Sequence, residues 1–252
     1  MSIFKQKARV FFIHLSISAL VIGLFVLHIV FIAYTPPLLE IEGGGRVTGI
    51  LVAVGLILGP IMTAILYRQG KKGLRGDLIM VVVLQMSAFF YGAYTLYSQR
   101  PLYLVYLDAD FWMVSSASVD LSRLKNPDLK PSLFGGPKLV YVEYLTGEGA
   151  MESAMKILEE GKGLQQYPEY YQSMGDNREK VLSALDKREY LKNSGPEWSA
   201  LLDKKLASKG ISKEKVVLSR IMGTKGFVSI ILDRNSLEMV GIIGPAAESG
   251  VH

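Results

Sequence analysis

Cysteine is absent from this sequence, and histidine is scarce. The 252-residue chain has three histidines, and only the last, His252, follows Arg100. Mechanisms that pair a serine or cysteine with histidine therefore lack a credible base in the C-terminal part, and a zinc site has too few ligands. No spacing singles out a serine–lysine pair. These absences weigh against a hydrolase, and we expect no cofactor. A domain in an oxidising compartment would rely on its core instead of disulfides.

Charged residues are rare before Arg100, in the part of the chain that holds most of its apolar residues. A helix of about 20 apolar residues spans roughly 30 Å of hydrocarbon, and three windows reach that length. The first is longer than a signal-peptide core and lacks a clear cleavage site, so we interpret it as an uncleaved anchor. The sequence predicts a membrane domain over residues 1–100, with transmembrane α-helices at about 10–34, 47–67 and 78–97.

Basic residues near the ends of these windows predict the orientation. Lysine and arginine in short connections resist translocation. The N-terminal tail and the connection between the second and third windows are both basic, so both are expected in the cytoplasm. The connection between the first two windows has Glu40 and Glu42 against Arg46 alone, which suits the opposite side. We expect a cytoplasmic N-terminus and a C-terminal part on the opposite side of the membrane, which in a Gram-negative bacterium is the periplasm. The basic residues are Lys5, Lys7 and Arg9 in the N-terminal tail and Arg68, Lys71, Lys72 and Arg75 in the second connection.

Alternating apolar patterns and short helical patterns follow Arg100, and they predict an α+β domain over residues 101–252. The net charge of +5 comes mostly from membrane-flanking residues, and without a basic stripe we expect no nucleic-acid partner. Asp108-Ala109-Asp110 is formally a DxD motif, but we interpret it as a turn between two strands. Strands are predicted at 102–107, 111–118, 138–145, 214–223, 226–233 and 237–244, and helices at 149–161, 176–193 and 196–210.

Small residues recur every fourth position in the second window, which keeps them on one helix face and allows close approach of another helix. One stripe is Gly45, Gly49 and Ala53, and the other is Gly55, Gly59 and Thr63. Two interpretations remain open: the neighbour is the protein's own first and third helices, or a transmembrane helix of another protein. Pro60 is expected to kink this window because it lacks a backbone N–H.

Polar side chains inside the windows mark packing or functional positions, because burying them in lipid is costly. His14 and His28 are 14 residues apart, roughly 21 Å along a helix, so they cannot share one metal ion. We interpret Gln85 as a hydrogen bonder between helices. Asp77 is predicted to cap the third helix, where a carboxylate opposes the positive end of the helix dipole.

Three segments together carry a family resemblance. They are "LGPIMTAILYRQGKKGLRGDL" at 58–78, "YGAYTLYSQRPLYLVYLDADFWMV" at 91–114 and "GFVSIILDRNSLEMVGII" at 226–243. The chain resembles the type IV pilin accessory proteins of the TfpX/TfpZ type, closely over the first 115 residues and loosely over the last 30. The matching positions are Leu58, Gly59, Pro60, Thr63, Lys72, Leu74, Asp77, Leu78, Tyr91, Gly92, Arg100 and Pro101.

The resemblance implies a non-enzymatic inner-membrane protein that assists or modulates the stability of the major pilin and the assembly of the pilus. A further hypothesis goes beyond the resemblance. A pilin precursor also has its N-terminus inside and its globular head outside, so one accessory protein is expected to contact both its transmembrane segment and its head. Membrane lipid and a second copy of the chain are further expected partners. Two alternatives are a scaffold of another secretion or conjugation machine, and a membrane enzyme that acts on lipid-linked substrates through His14, His28 or Asp77.

Overall fold

The computed structural model of the protein describes residues 3–144, 148–187 and 196–244. Two compact units are present. The membrane unit comprises the chain up to Ile32 together with Gly43–Gln99. The sheet unit comprises Ala33–Glu42 and the chain from Arg100 onward.

Three long apolar helices form the membrane unit, which confirms the predicted membrane-spanning class. They cover Ile3–Ala33, Gly44–Leu66 and Leu74–Ser98, with mean hydropathies of 2.7, 2.4 and 1.6 in their most apolar windows. All three begin before the predicted starts at about 10, 47 and 78, and the charged first turns of the first and third are also helical. The segments are α1 (Ile3–His28) with a π-helical turn (Ile29–Ala33); α2 (Leu38–Ile41) in the connection; α3 (Gly44–Ala53), a π-helical turn (Val54–Leu58) and α4 (Gly59–Leu66); and α5 (Leu74–Ser98).

Side-chain contacts hold the three helices together. Lys7 Nζ donates a hydrogen bond to Ile65 O at 3.1 Å, which places the N-terminal tail beside the end of α4. Phe25 and Phe89 meet edge to face with ring centroids 5.3 Å apart. The N-terminal tail and the connection after α4 therefore lie at the same end of the membrane unit.

A six-stranded mixed sheet forms the second unit, as the predicted α+β class requires. The strands are β1 (Pro101–Leu107), β2 (Asp110–Ser115), β3 (Lys138–Tyr141), β4 (Val216–Gly223), β5 (Gly226–Asp233) and β6 (Met239–Ile243); the helices are α6 (Glu148–Glu160), α7 (Arg178–Asp186) and α8 (Pro196–Ala207). The strand order is β3-β1-β2-β4-β5-β6, with β1/β3 and β2/β4 parallel and the other neighbours antiparallel. Helix α7 is shorter than the predicted 176–193, of which 188–193 lie outside the described residues.

Strand β1 lies in the middle of two apolar layers, and every residue in it is buried. Because side chains alternate along a strand, Leu104 and Tyr106 belong to one core cluster and Tyr103 and Val105 to another. Helix α7 covers the first face. Helix α8 covers the opposite face of β5 through Trp198 and its apolar neighbours.

The connection between the first two membrane helices contributes to the core of the sheet unit. Leu38 and Ile41 of α2 lie in the same buried cluster as α7 and β5. The carbonyl of Ile41 accepts hydrogen bonds from Lys225 N at 2.9 Å and from Thr224 Oγ1 at 3.1 Å. Since Ala33–Glu42 packs within the sheet unit, this connection must lie on the same side of a membrane as the sheet.

Candidate functional site

An open groove of about 650 Å³ lies between the three membrane helices. Its walls are mostly aliphatic and aromatic, and they come from α1, from the second span and from α5. A few polar side chains interrupt this lining, as is usual for binding clefts. The polar residues are His14, Ser18, Thr63, Tyr67, Gln85, Tyr91 and Thr95.

Pro60 explains the local distortion of the second span. The Gly59 N–H donates to Val54 O, five residues earlier, in the π-helical turn Val54–Leu58. The next bond in that register would run from Pro60 to Gly55 O, but proline has no N–H. Gln85 on α5 supplies the donor instead, with Nε2 3.1 Å from Gly55 O. The sequence predicted a kink at Pro60 and a hydrogen bond between helices from Gln85. It did not predict that Gln85 replaces the hydrogen bond that Pro60 cannot donate.

Gly55 and Gly59 are covered by the protein's own helices. A Cβ built on Gly59 would lie 1.9 Å from Gln85 Nε2, and one built on Gly55 would lie 1.9 Å from Ile22 Cδ1. Glycine at both positions therefore lets α1 and α5 approach the second span. At these two positions the structure agrees with the internal-packing interpretation.

Gly45 and Gly49 face open space. A Cβ built on either glycine meets no atom within 4 Å outside its own helix surroundings. The two stripes of small residues thus differ in role. Gly55 and Gly59 pack against the other two helices, whereas Gly45 and Gly49 leave a surface of α3 without side chains.

Histidine and threonine form a polar contact across the groove. His14 Nδ1 on α1 lies 2.6 Å from Thr63 Oγ1 on α4. His28, near the other end of α1, stacks on Tyr97 with ring centroids 6.5 Å apart. The structure thus brings Thr63 to His14 and Gln85 to Gly55, while His28 stays apart from both.

The basic connection ends in an ion pair, and here one prediction needs correction. The third helix starts at Leu74 with Gly73 at the cap position, so Asp77 is not its cap. Asp77 lies in the first turn, where its charge still opposes the helix dipole, and its carboxylate accepts from Lys71 Nζ. The predicted start was too late because Arg75 and Asp77 interrupt the apolar window. Arg68, Lys71, Lys72 and Arg75 are all exposed.

Acidic residues of the sheet unit have structural partners. Asp108 and Ala109 form the β1–β2 turn with φ values of 54° and 62°, and Asp110 binds Arg220 in a bidentate pair at 2.9 and 2.6 Å. Burial by itself would raise the pKa of the Glu169 carboxyl, but hydrogen bonds from Lys156 and Arg123 hold it below its usual range.

Among the residues that the structure describes, no three His, Asp or Glu side chains are grouped to hold a metal ion. His252 lies outside those residues.

Sequence reasoning missed most of the groove lining. Apolar periodicity cannot distinguish a groove-facing residue from a lipid-facing one, because both environments favour the same side chains. Ser18 and Thr95 were detectable as polar residues within long apolar segments.

Comparison with known proteins gives a distant but consistent match. The chain is 26% identical over 179 residues to the fimbrial assembly protein of serogroup I from Dichelobacter nodosus, covering 69% of this chain and 68% of the relative. It is 29% identical over 116 residues to the protein of serogroups C1 and C2 (45% of this chain, 86% of the relative), and 25% identical over 187 residues to that of serogroup E1 (72% of each). No family model and no solved structure matches significantly.

The similarity extends over both structural units, since the matched 69% of the chain is more than either unit contains. The matched stretch therefore includes residues of both the membrane unit and the sheet unit, and the chain has a distant similarity to fimbrial assembly proteins.

Proposed function

We propose that this protein is an inner-membrane accessory of type IV pilus assembly that binds the major pilin and promotes its stability or its incorporation. The observation that carries the proposal is the similarity to fimbrial assembly proteins across both units. The motif resemblance to TfpX/TfpZ-type pilin accessories supports the narrower choice of the pilin as the client.

The groove between the membrane helices is the proposed binding site for the transmembrane segment of the pilin. Its apolar walls match an apolar helix, and polar side chains such as Ser18 and Thr95 can accept or donate hydrogen bonds there. His14 and Gln85 are engaged with Thr63 and Gly55, so they are suited to shape the groove and not to carry out chemistry. We therefore propose binding without catalysis.

The proposed orientation has the N-terminus in the cytoplasm and the sheet unit in the periplasm. The hydrogen bond from Lys7 to Ile65 brings both basic segments to one end of the membrane unit, and the positive-inside rule supports a cytoplasmic position for that end. The connection Ala33–Glu42 packs within the sheet unit, so these two share the other side. This is the topology that a pilin precursor is expected to share.

Parallel topology allows contact at two points on one client. The groove would hold the transmembrane segment, and the sheet unit would lie in the compartment of the pilin head. Two weak contacts on one molecule reinforce each other because the second forms at a high effective concentration. The protein could therefore assist assembly even if it bound the transmembrane segment and the head of the pilin only weakly.

The test is deletion of the gene in the bacterium that encodes this chain, followed by complementation. We expect fewer surface pili and less pilin in the inner membrane, with both restored by the intact chain. Unchanged pilin and unchanged surface pili after deletion would overturn the proposal.

A further inference from the structure

A loop of the sheet unit displays two large apolar side chains next to each other. Leu133 and Phe134 are 62% and 65% exposed, in the segment "PSLFGGP" at 131–137. The base of the loop is held in place, since Leu129 is buried in a core cluster and its carbonyl accepts from Tyr103 Oη at 3.0 Å. The base of the loop is therefore anchored in the core, while Leu133 and Phe134 keep most of their surface exposed.

The loop is tied to the residue that follows the third membrane helix. Arg100 is buried, and its Nη1 donates a hydrogen bond to Leu133 O. Arg100 is only two residues beyond Ser98, the end of α5, so its Cα is at most about 7 Å from that of Ser98. Because α5 is a candidate membrane-spanning helix, this short link keeps Arg100, and with it the backbone of Leu133, near the end of a span in the chain.

The surroundings of the loop suit a lipid surface. Aromatic and leucine side chains partition into the interfacial region, and nearby lysines extend toward phosphate groups. Lys125 and Lys130 are exposed close by in sequence. Basic residues near an anionic surface are attracted to it.

We propose that Leu133 and Phe134 insert into the headgroup region of the bilayer and anchor the sheet unit there. The partner is a phospholipid surface, and anionic headgroups strengthen the contact through Lys125 and Lys130. This anchor is independent of the identity of the client, so it stands whether or not the protein binds a pilin.

The experiment uses the absence of cysteine, which allows a single spin label without background. The full chain with Ser132→Cys is labelled and placed in lipid nanodiscs that contain phosphatidylglycerol, one copy per disc. Accessibility to oxygen, which concentrates in lipid, is compared with accessibility to a water-soluble nickel chelate. Labels at Phe90→Cys, which is exposed on a membrane helix, and at Lys209→Cys, which is exposed on the sheet unit, give the two limits.

We expect the oxygen-to-nickel ratio at position 132 to lie near that of position 90. Adding Leu133→Ser and Phe134→Ser should lower the ratio to that of position 209, because the anchor is lost while the label stays in place. A ratio at position 132 equal to that of position 209 in the otherwise unaltered chain would overturn the proposal. Shielding that survives both serine substitutions, or that requires two copies per disc, would also overturn it, since protein would then cover the loop.

Discussion

Gln85 Nε2 lies 3.1 Å from Gly55 O and supplies the hydrogen bond that Pro60 cannot make. This contact joins the third membrane helix to the distorted middle of the second. A backbone carbonyl without a donor is unfavourable in lipid, so the Gln85 amide compensates for the N–H that Pro60 lacks. The groove proposed as the client site is built around this contact.

Replacing the amide should weaken the bundle in a way that depends on Pro60. Gln85→Leu is expected to lower the free energy of unfolding in detergent by about 1 kcal/mol, because Gly55 O loses its donor. In a Pro60→Ala background the helix regains its own N–H, so the same substitution should cost less. Met86→Leu, one residue away in the groove lining, is the matched control. Equal costs of Gln85→Leu in both backgrounds would contradict the link between the two residues.

The two stripes of small residues should respond differently to a large side chain. Gly59→Leu forces a clash with Gln85, whereas Gly49→Leu enters open space. We expect Gly59→Leu to reduce the thermal stability and the membrane abundance of the protein, and Gly49→Leu to leave both nearly unchanged. If Gly59→Leu were stable and abundant, the close approach of α5 to the second span would be wrong.

The connection Ala33–Glu42 should be required for a stable sheet unit. Ile41 is buried against the β4–β5 turn, so Ile41→Ala should cost about 2 to 4 kcal/mol of unfolding free energy. Exposed Glu40→Ala serves as the control and should change stability by less than about 0.5 kcal/mol. A fragment that begins at Arg100 should bind an apolar dye more strongly than the full chain does. A fragment as stable as the full chain would show that the connection is dispensable.

Glu169 should make the sheet unit sensitive to acid. Its pKa lies below the ordinary value of 4.5 in the folded state, so its stabilising effect is fully present above about pH 5 and is lost as pH falls through the lowered pKa. Glu169→Gln should lower stability at pH 7 by roughly 1 to 2 kcal/mol and flatten the decline below pH 5. Exposed Glu159→Gln is the control, measured by urea unfolding at several pH values. A wild-type profile that stays flat down to pH 3 would contradict the role of this carboxylate.

The sequence was sufficient to predict the three spans because length and apolarity are set by the bilayer itself. It also identified Pro60, Thr63 and Gln85 as special, since polar or helix-breaking residues in lipid need a reason. Their partners were out of reach, because the contacts of Thr63 with His14 and of Gln85 with Gly55 depend on how the helices rotate against each other.

The sheet unit shows a similar division. Its α+β class follows from alternating and helical patterns in the sequence. The packing of Leu38 and Ile41 into its core could not be predicted, because α2 has only four residues and is too short to show a periodic pattern. Asp77 shows a further limit: it was assigned as a cap by its position before an apolar run, whereas the helix had already begun at Leu74.

Photo-crosslinking from the groove in native membranes tests the central claim most directly. A benzophenone amino acid placed at Ile17 or Val82, both exposed and both lining the groove, should form an adduct that contains the major pilin. The same probe at Phe90, which is exposed on α5 but does not line the groove, should form little or none. Absence of pilin adducts at both groove positions, or equal pilin adducts at Phe90, would contradict the account.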